Sequence, residues 1–172
     1  MRLLIPILLA FFGLAGCANP SIVGVKDSEI GKITISKVFV PRFEGNPAFV
    51  EEGTDLFIAK LESQISASIV QGAVLRTEST DILAAGNLAP TEVVLAKAKE
   101  IGAQVLVMGK VTSHKTGGML NSFSTIRVIN VVNGEVLASF HRPSGLLIAH
   151  SEHQCVMAAV SRTAEDVAKA LK

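Results

Sequence analysis

The chain has 172 residues, a length typical of one domain. Hydrophobic residues make up 49% and charged residues 18%, which excludes a disordered chain and a solvated coiled coil. Lys and Arg total 16 against 15 for Asp and Glu, so the overall charge does not favour a nucleic acid as the partner. With no Trp, no Tyr and 8 Phe, the chain has few side chains for stacking on sugars or bases.

The N-terminus has the pattern of an export signal. Arg2 supplies a short positive region, an apolar stretch runs from Leu3 to Leu14, and small residues follow it. This apolar stretch is about 12 residues long, whereas a membrane-spanning helix needs about 20. Residues 1–16 are therefore predicted to be a signal peptide that is removed, not a permanent membrane helix.

The end of that segment resembles the lipobox of bacterial lipoproteins. The sequence Leu14-Ala15-Gly16-Cys17 implies that diacylglycerol is attached to Cys17, that cleavage occurs before it, and that the new amine receives a further acyl chain such as palmitate. Two acyl chains hold a protein stably on a membrane. Ala18 stands where inner-membrane lipoproteins of enteric bacteria carry Asp, which implies the periplasmic face of the outer membrane. The alternative at this point is an ordinary soluble export signal.

The mature chain begins with a predicted tether and a predicted strand. Residues 17–31 have few apolar positions and are expected to form the lipidated Cys and a short tether, followed by one α/β domain over residues 32–172. Apolar residues alternate with Thr and Ser at the start of Lys32–Val40 and then run without interruption. This pattern predicts a strand partly buried on both faces, which Pro41 ends.

A first helix is predicted after a chain break at Gly45-Asn46-Pro47. Either Thr54 or Asp55 is expected to cap it, and Gly72 to close it. Its apolar residues recur at every fourth position: Phe57, Leu61, Ile65 and Ile69. This spacing predicts an amphipathic helix.

The middle of the chain contains a second helix and the most strand-like run in the sequence. Ala73–Thr77 is predicted to be a short strand, and Thr91 to cap a helix through Ile101 that Gly102 ends. Gln104–Val111 is then predicted to be a strand.

The C-terminal part is predicted to be a meander followed by a helix. Asn133-Gly134 favours a two-residue type I′ hairpin between Phe123–Val132 and Glu135–His141, and His114–Ser122 is expected to be another hairpin loop. Ser151 is predicted to cap a last helix running to Leu171. The element order predicts an α/β sandwich: a single mixed sheet of about five strands, three main helices, and a C-terminal β-meander followed by a helix.

No catalytic motif is present. The chain contains no G-x-S-x-G, H-E-x-x-H, Walker loop or C-x-x-C sequence, so no catalytic residue, enzyme activity or cofactor is predicted. His150, Glu152, His153 and Cys155 offer potential metal ligands, but a solvated helix N-terminus explains them better, and no metal is predicted. A turn at Pro143-Gly145 indicates that His141, Arg142 and Ser144 are loop residues, with a binding role as the alternative.

Two further features concern packing and contacts. If Cys17 carries lipid, Cys155 has no partner in the chain, and its place beside an apolar helical stripe favours a buried thiol over an intermolecular disulfide. The apolar triplet Leu146, Leu147 and Ile148 follows a turn directly. It either packs under the last helix or forms an interface patch.

Several of these features together resemble periplasmic lipoproteins of the CsgG, LpoB and PelC type. They are the lipobox, the Val40-Pro41 step, the Phe57–Ile69 helix, the Gln104–Gly109 strand and the Gly-closed hairpin at Ile129–Val136. The resemblance spans Ile33 to Leu171. It implies an α/β periplasmic domain without enzymatic activity.

Within this group the layout is most similar to PelC. CsgG-like pores insert hairpins whose strands need about 9–11 residues to cross a membrane, and no predicted loop is long enough. LpoB-like activators reach an inner-membrane enzyme on a long tether, whereas this tether is short. We therefore expect a non-enzymatic outer-membrane scaffold or accessory subunit of an envelope assembly or export system, such as secretion or polysaccharide export. It is expected to form homo-oligomers or to bind an envelope partner. The alternative is a regulator that docks on an envelope protein such as a peptidoglycan synthase.

The charge of the mature chain limits the comparison with PelC. Removal of residues 1–16 deletes only Arg2 among the charged residues, which leaves 15 basic against 15 acidic residues. A neutral mature chain is not expected to form a strong electrostatic funnel for a cationic polymer.

Overall fold

The computed structural model describes residues 22–25, 27–72, 91–116, 119–144 and 151–172. Several sequence predictions lie outside these residues: the signal peptide, Cys17, the Ala73–Thr77 strand, Gly117-Gly118, Leu146–Ile148 and His150.

The described chain forms one mixed sheet with helices on both faces. The strands are β1 (Ile22–Val25), β2 (Lys37–Pro41), β3 (Glu44–Gly45), β4 (Ser68–Gly72), β5 (Val105–Thr116), β6 (Met119–Asn130) and β7 (Val136–Pro143). The helices are α1 (Asp27–Ile30), α2 (Pro47–Glu62), α3 (Thr91–Glu100) and α4 (Glu152–Ala170).

The strand order is β1-β7-β6-β5-β2-β4, and the two-residue β3 also pairs with β5. Pairing is parallel where β2 meets β4 and β5, and antiparallel from β5 through β6 and β7 to β1. The predicted fold class is confirmed: a mixed sheet, three main helices, and a C-terminal meander followed by a helix. The continuous path holds six strands where about five were predicted.

The larger core lies between the sheet and the pair α2 and α4. The rings of Phe43 and Phe57 meet edge to face in it, with centroids 5.1 Å apart. On the other face, a smaller cluster joins α3 to one end of β2, β5 and β6 through Phe39, Leu106 and Ile129. Because α3 is only 10 residues long, it covers only part of this face.

The predicted start of α2 was wrong. Asn46 caps the helix by accepting a hydrogen bond from Ala48 N at 3.1 Å, and Pro47 follows in the first turn, a favourable position for proline. Thr54 lies inside the helix, where its hydroxyl donates to Val50 O at 2.6 Å and accepts from Phe43 N at 3.0 Å. Its polar group is thus satisfied within the core and does not mark a helix end.

The predicted end of α2 was also wrong. The helix ends at Glu62, with Ser63 as its C-cap. Ile65 follows the helix, and Ile69 and Gly72 belong to β4, which pairs in parallel with β2. Ile65 and Ile69 still pack against the larger core. The spacing of four residues therefore arises because both side chains are buried on the same core, although Ile65 follows the helix and Ile69 lies in a strand.

The first predicted strand is shorter than expected at its beginning. It starts at Lys37, includes Pro41, and is preceded by turn and bend residues. Ile33 and Ile35 are half-buried against the core but do not pair with a neighbouring strand. Val38, Phe39 and Val40 are buried, which confirms that both faces of this strand are covered.

The two predicted hairpins are present with different loops. At the β6–β7 connection, Asn130 N donates to Glu135 O at 2.9 Å and Gly134 N to Asn130 O at 2.8 Å, with Gly134 at φ +75°. The connection is therefore longer than the predicted two-residue turn. In the other hairpin, β5 and β6 remain paired out to Thr116 and Met119, so His114 and Ser122 lie in strands and not in a loop.

Residues assigned to the tether also contribute to the sheet. Ile22–Val25 forms β1, an edge strand in which Ile22 pairs with Phe140 and Val25 with Ala138. An isolated four-residue strand carries a weak sequence signal because its pairing depends on β7.

The last helix follows its prediction closely. Ser151 caps α4 in a capping box with Gln154, and Leu171 is its C-cap. Cys155 is 2% exposed, which confirms the prediction of a buried thiol.

Candidate functional site

The candidate site is the part of the sheet that α3 leaves uncovered, which we call the open face. It is formed by side chains of three neighbouring strands: Lys110 and His114 of β5, Phe123, Thr125 and Arg127 of β6, and His141 of β7. Side chains on a strand alternate between the two faces, so register decides which ones meet. Lys110 pairs with Thr125, and Thr125 with His141, which brings the three side chains to the same side.

A short row of rings crosses the open face. The Phe123 ring lies between two imidazoles, with its centroid 5.1 Å from that of His141 and 5.6 Å from that of His114. The planes of Phe123 and His141 differ by 20°, a stacked arrangement, and those of Phe123 and His114 by 36°. The three rings therefore form a continuous aromatic surface, half-buried at Phe123 and His141 and exposed at His114.

A hydrogen bond orients the His141 ring. Its Nδ1 atom lies 2.9 Å from Thr125 Oγ1. When the hydroxyl donates this bond, the imidazole carries its proton on Nε2, which is then available as a donor. The pair thus supplies a positioned polar group beside the Phe123 ring.

The open face carries positive charge that the overall balance of the chain conceals. Lys110 and Arg127 are exposed, and no ion pair involves either of them within the described residues. The sequences of β5, β6 and β7 contain no Asp or Glu, and Glu44 of β3 is the acidic residue in register with Lys110. Across residues 101–151 the one acidic residue is Glu135. The other 14 of the 15 acidic residues of the chain lie outside this range.

A further cation of β7, Arg142, lies on the opposite face and is already paired. Its Nη2 atom donates to Asp166 Oδ1 at 2.9 Å, and its Nε atom to Asp166 Oδ2. These hydrogen bonds to the carboxylate raise the pKa of Arg142 above its ordinary value, against the opposing effect of burial. The prediction that His141 and Arg142 are loop residues was wrong, because both pair with β6; Ser144 follows the strand and is buried.

Of the potential metal ligands near the start of α4, His153 and Cys155 do not converge. His153 is exposed, and its Nε2 atom lies 2.7 Å from Glu52 Oε2 of α2. Cys155 instead packs among the buried residues of α4. In the described part of the chain, no group of three His, Cys, Asp or Glu side chains is arranged to hold a metal ion.

A cavity of about 640 Å³ lies where α1, α2 and α4 end. Its wall is about equally apolar and polar: it includes Ile33, Ile35, Ile65 and Leu171 together with Lys169 and Lys172. Among the described residues that line it, none has a carboxylate, imidazole or thiol side chain. Among these described residues, Ser66, Lys169 and Lys172 carry groups that could act as a nucleophile or base, and no hydrogen bond joins Ser66 to either lysine.

Sequence analysis missed the open face. His114, Phe123 and His141 are 9 and 18 residues apart along the chain, and no motif relates them. The available signal was the scarcity of acidic residues in this part of the chain, where Glu135 is the one acidic residue of residues 101–151.

Comparison with solved structures shows where this architecture recurs. A PelC variant from Paraburkholderia phytofirmans, solved as a dodecamer, superposes with a TM-score of 0.53 at 16% identity, over 83% of this chain and 90% of PelC. This chain has a PelC-like fold. The expected resemblance is thereby confirmed at the level of fold.

Two other structures are more distantly similar. The LpoB C-terminal domain from Salmonella enterica gives a TM-score of 0.47 at 13% identity, over 70% of this chain and 95% of the domain. A lipoprotein from Neisseria meningitidis gives 0.48 at 14% identity, over 80% and 99%. Comparisons with known protein families and with curated proteins found no match. None of the described helices is long and apolar enough to cross a membrane.

Proposed function

We propose that the protein is a non-enzymatic accessory subunit, or scaffold, of an envelope assembly or export system, held on the periplasmic face of the outer membrane by lipid on Cys17. The observation that carries this proposal is the PelC-like fold, which PelC itself presents in a dodecamer. The lipobox sequence that precedes the domain supports the anchor.

The proposed anchor keeps the domain close to the membrane. β1 begins at Ile22, five residues after Cys17. Since an extended chain spans at most about 3.3–3.6 Å per residue, these residues reach about 17 Å. A subunit held this close acts at the membrane surface, not across the periplasm.

The anchor is tested by labelling cells with radioactive palmitate. We expect the wild-type protein to carry the label and to fractionate with outer membranes, and the Cys17→Ser variant to lose both properties. Cys155→Ser is the matched control because it removes the other thiol of the chain. Palmitate retained by the Cys17→Ser variant, or unlabelled wild-type protein in the soluble fraction, would contradict the proposed anchor.

Self-association is tested by the mass of residues 18–172 in solution. Size-exclusion chromatography with light scattering is suitable if concentration is read by refractive index, because the chain has no Trp or Tyr. We expect a defined ring-sized oligomer. A monomer at every concentration would contradict the scaffold and favour a regulator that docks on another envelope protein.

Leu146, Leu147 and Ile148 are proposed to form part of the contact between subunits. The triple substitution to Ser is expected to reduce the oligomer to smaller species. Val132→Ser is the control, since Val132 is 79% exposed at the β6–β7 connection. An oligomer unchanged by the triple substitution would remove this patch from the interface.

The absence of catalysis is also part of the proposal, supported by the cavity wall described above. Purified protein is expected to contain no stoichiometric zinc. Stoichiometric zinc that the double variant His150→Ala/His153→Ala loses would indicate a metal site instead.

A further inference from the structure

The open face has the shape of a surface for an extended ligand. Side chains on one face of a strand repeat about every 7 Å, so Arg127, Thr125 and Phe123 present a cation, a hydroxyl and a ring in sequence along β6. Small molecules bind mainly in concave pockets, whereas this surface follows a sheet. An extended polymer can contact all three groups at once.

The charges on the open face favour an anionic ligand. Lys110 and Arg127 form no ion pair in the described part of the chain, unlike Arg142 on the opposite face, and Glu44 is the one carboxylate in register with Lys110. Cations of this kind recognise carboxylates, and Arg does so with two hydrogen-bond donors in a fixed geometry. Anionic groups spaced along a polymer would meet Lys110 and Arg127 on adjacent strands.

The rings favour a carbohydrate over an acidic protein segment. The row of rings supplies apolar area that can pack against the C–H groups of sugar rings, and the Thr125–His141 pair offers hydrogen bonding to hydroxyl groups. Protein interfaces are instead centred on apolar anchors. The large apolar side chains most exposed among the described residues, Val93, Val132 and Val136, lie on α3 and around the β6–β7 connection.

We propose that the open face binds an anionic carbohydrate polymer, with Lys110 and Arg127 contacting its acidic groups and the row of His114, Phe123 and His141 rings packing against its sugar rings. This inference rests on the proposed function, because it names the substrate class that the accessory subunit contacts. The proposed polymer is negatively charged, unlike the cationic polymer for which the neutral mature chain is not expected to form an electrostatic funnel.

The test measures binding of polygalacturonate by isothermal titration calorimetry to the mature lipidated protein in detergent. Neutral dextran and poly-glutamate serve as comparison ligands. The double variant Lys110→Gln/Arg127→Gln is matched by Lys60→Gln/Lys169→Gln, which removes the same charge from α2 and α4. Phe123→Leu removes the ring and keeps an apolar side chain. Circular dichroism confirms that each variant is folded.

We expect polygalacturonate to bind more weakly as salt increases, and dextran and poly-glutamate not to bind. Loss of Lys110 and Arg127 should weaken binding at least about tenfold, and the matched pair should change it by less than about twofold. Phe123→Leu should weaken binding about fivefold with the same salt dependence, because it removes the middle ring of the row and an apolar contact is not screened by ions.

Three results would overturn the inference. They are no binding of polygalacturonate, equal losses in the two double variants, or equal affinity for poly-glutamate, which would indicate an acidic protein partner. The light-scattering mass of the same samples is read separately. A ring-sized oligomer of the protein that does not bind polygalacturonate refutes only this inference. A monomer that binds polygalacturonate refutes only the proposed scaffold.

Discussion

Gly45 offers a sharp test of how β3 and α2 are held to the sheet. It has φ +118°, and a Cβ atom built on it would lie 1.8 Å from Val111 O. Because that neighbour is backbone, the clash cannot be relieved by rotating a side chain. Gly45→Ala must therefore move β3 away from β5 and lengthen the hydrogen bond from Asn46 N to Val111 O, which is 3.1 Å in the structure.

The expected magnitude follows from two effects. A residue with a Cβ in a strained backbone conformation costs about 1–3 kcal/mol. Weakening the Asn46–Val111 hydrogen bond adds about 0.5–1.5 kcal/mol. We expect Gly45→Ala to reduce the free energy of unfolding by about 3 kcal/mol, a large part of the 5–15 kcal/mol typical of a domain.

Gly102→Ala is the matched control. Gly102 also has a positive φ, +70°, but no heavy atom lies within 4 Å of its added Cβ. Gly102→Ala should reduce the free energy of unfolding by about 1 kcal/mol, the cost of placing alanine in the left-handed backbone region. The difference of about 2 kcal/mol between the variants isolates the steric contribution of the close approach.

The assay is urea unfolding followed by far-ultraviolet circular dichroism, because the chain has no Trp or Tyr for fluorescence. The midpoint and slope together give the free energy of unfolding. If the costs of Gly45→Ala and Gly102→Ala agree within about 0.5 kcal/mol, the close approach of Gly45 to the Val111 carbonyl contributes nothing measurable to stability.

Three other substitutions test buried polar groups by the same urea assay. Ser124→Ala should leave stability unchanged or raise it by up to about 1 kcal/mol, because the buried Ser124 hydroxyl has no hydrogen-bond partner among the residues that the structure describes; a clear loss would contradict this. Thr54→Val should cost about 1–3 kcal/mol, since it removes the acceptor for Phe43 N; a neutral result would show that the amide finds another partner. Asp166→Asn should cost about 1–3 kcal/mol, below the cost at a fully buried pair, because the Arg142 side chain is still 20% exposed; no loss would mean that solvent screens the pair.

Sequence patterns were sufficient where local interactions decide the structure. The Ser151 cap, the apolar stripe of α4 and the end of the second helix at Gly102 depend on neighbours a few residues away, so they could be read directly. The burial of Cys155 followed from the same stripe. The fold class was predicted from the order of these elements, and the structure confirms it.

Local signals failed where two of them competed. Asn46-Pro47 and Thr54 both carry a helix-cap pattern, and only the core contact of the Thr54 hydroxyl with Phe43 shows that Thr54 lies within the helix. The apolar spacing through Ile65 and Ile69 was equally ambiguous, because two successive elements pack on the same core.

The open face was decided by tertiary structure alone. Its rings belong to three strands, and strand register, set by pairing over distances of 9 and 18 residues, brings them together. A shift of one residue in either pairing would turn Phe123 or His141 to the other side of the sheet. The sequence by itself therefore determined the local elements and the overall net charge of +1, while the pairing of β5, β6 and β7 determined that an aromatic, cationic surface exists. Register depends on the burial of the opposite face against α2 and α4, which no short segment of the chain contains.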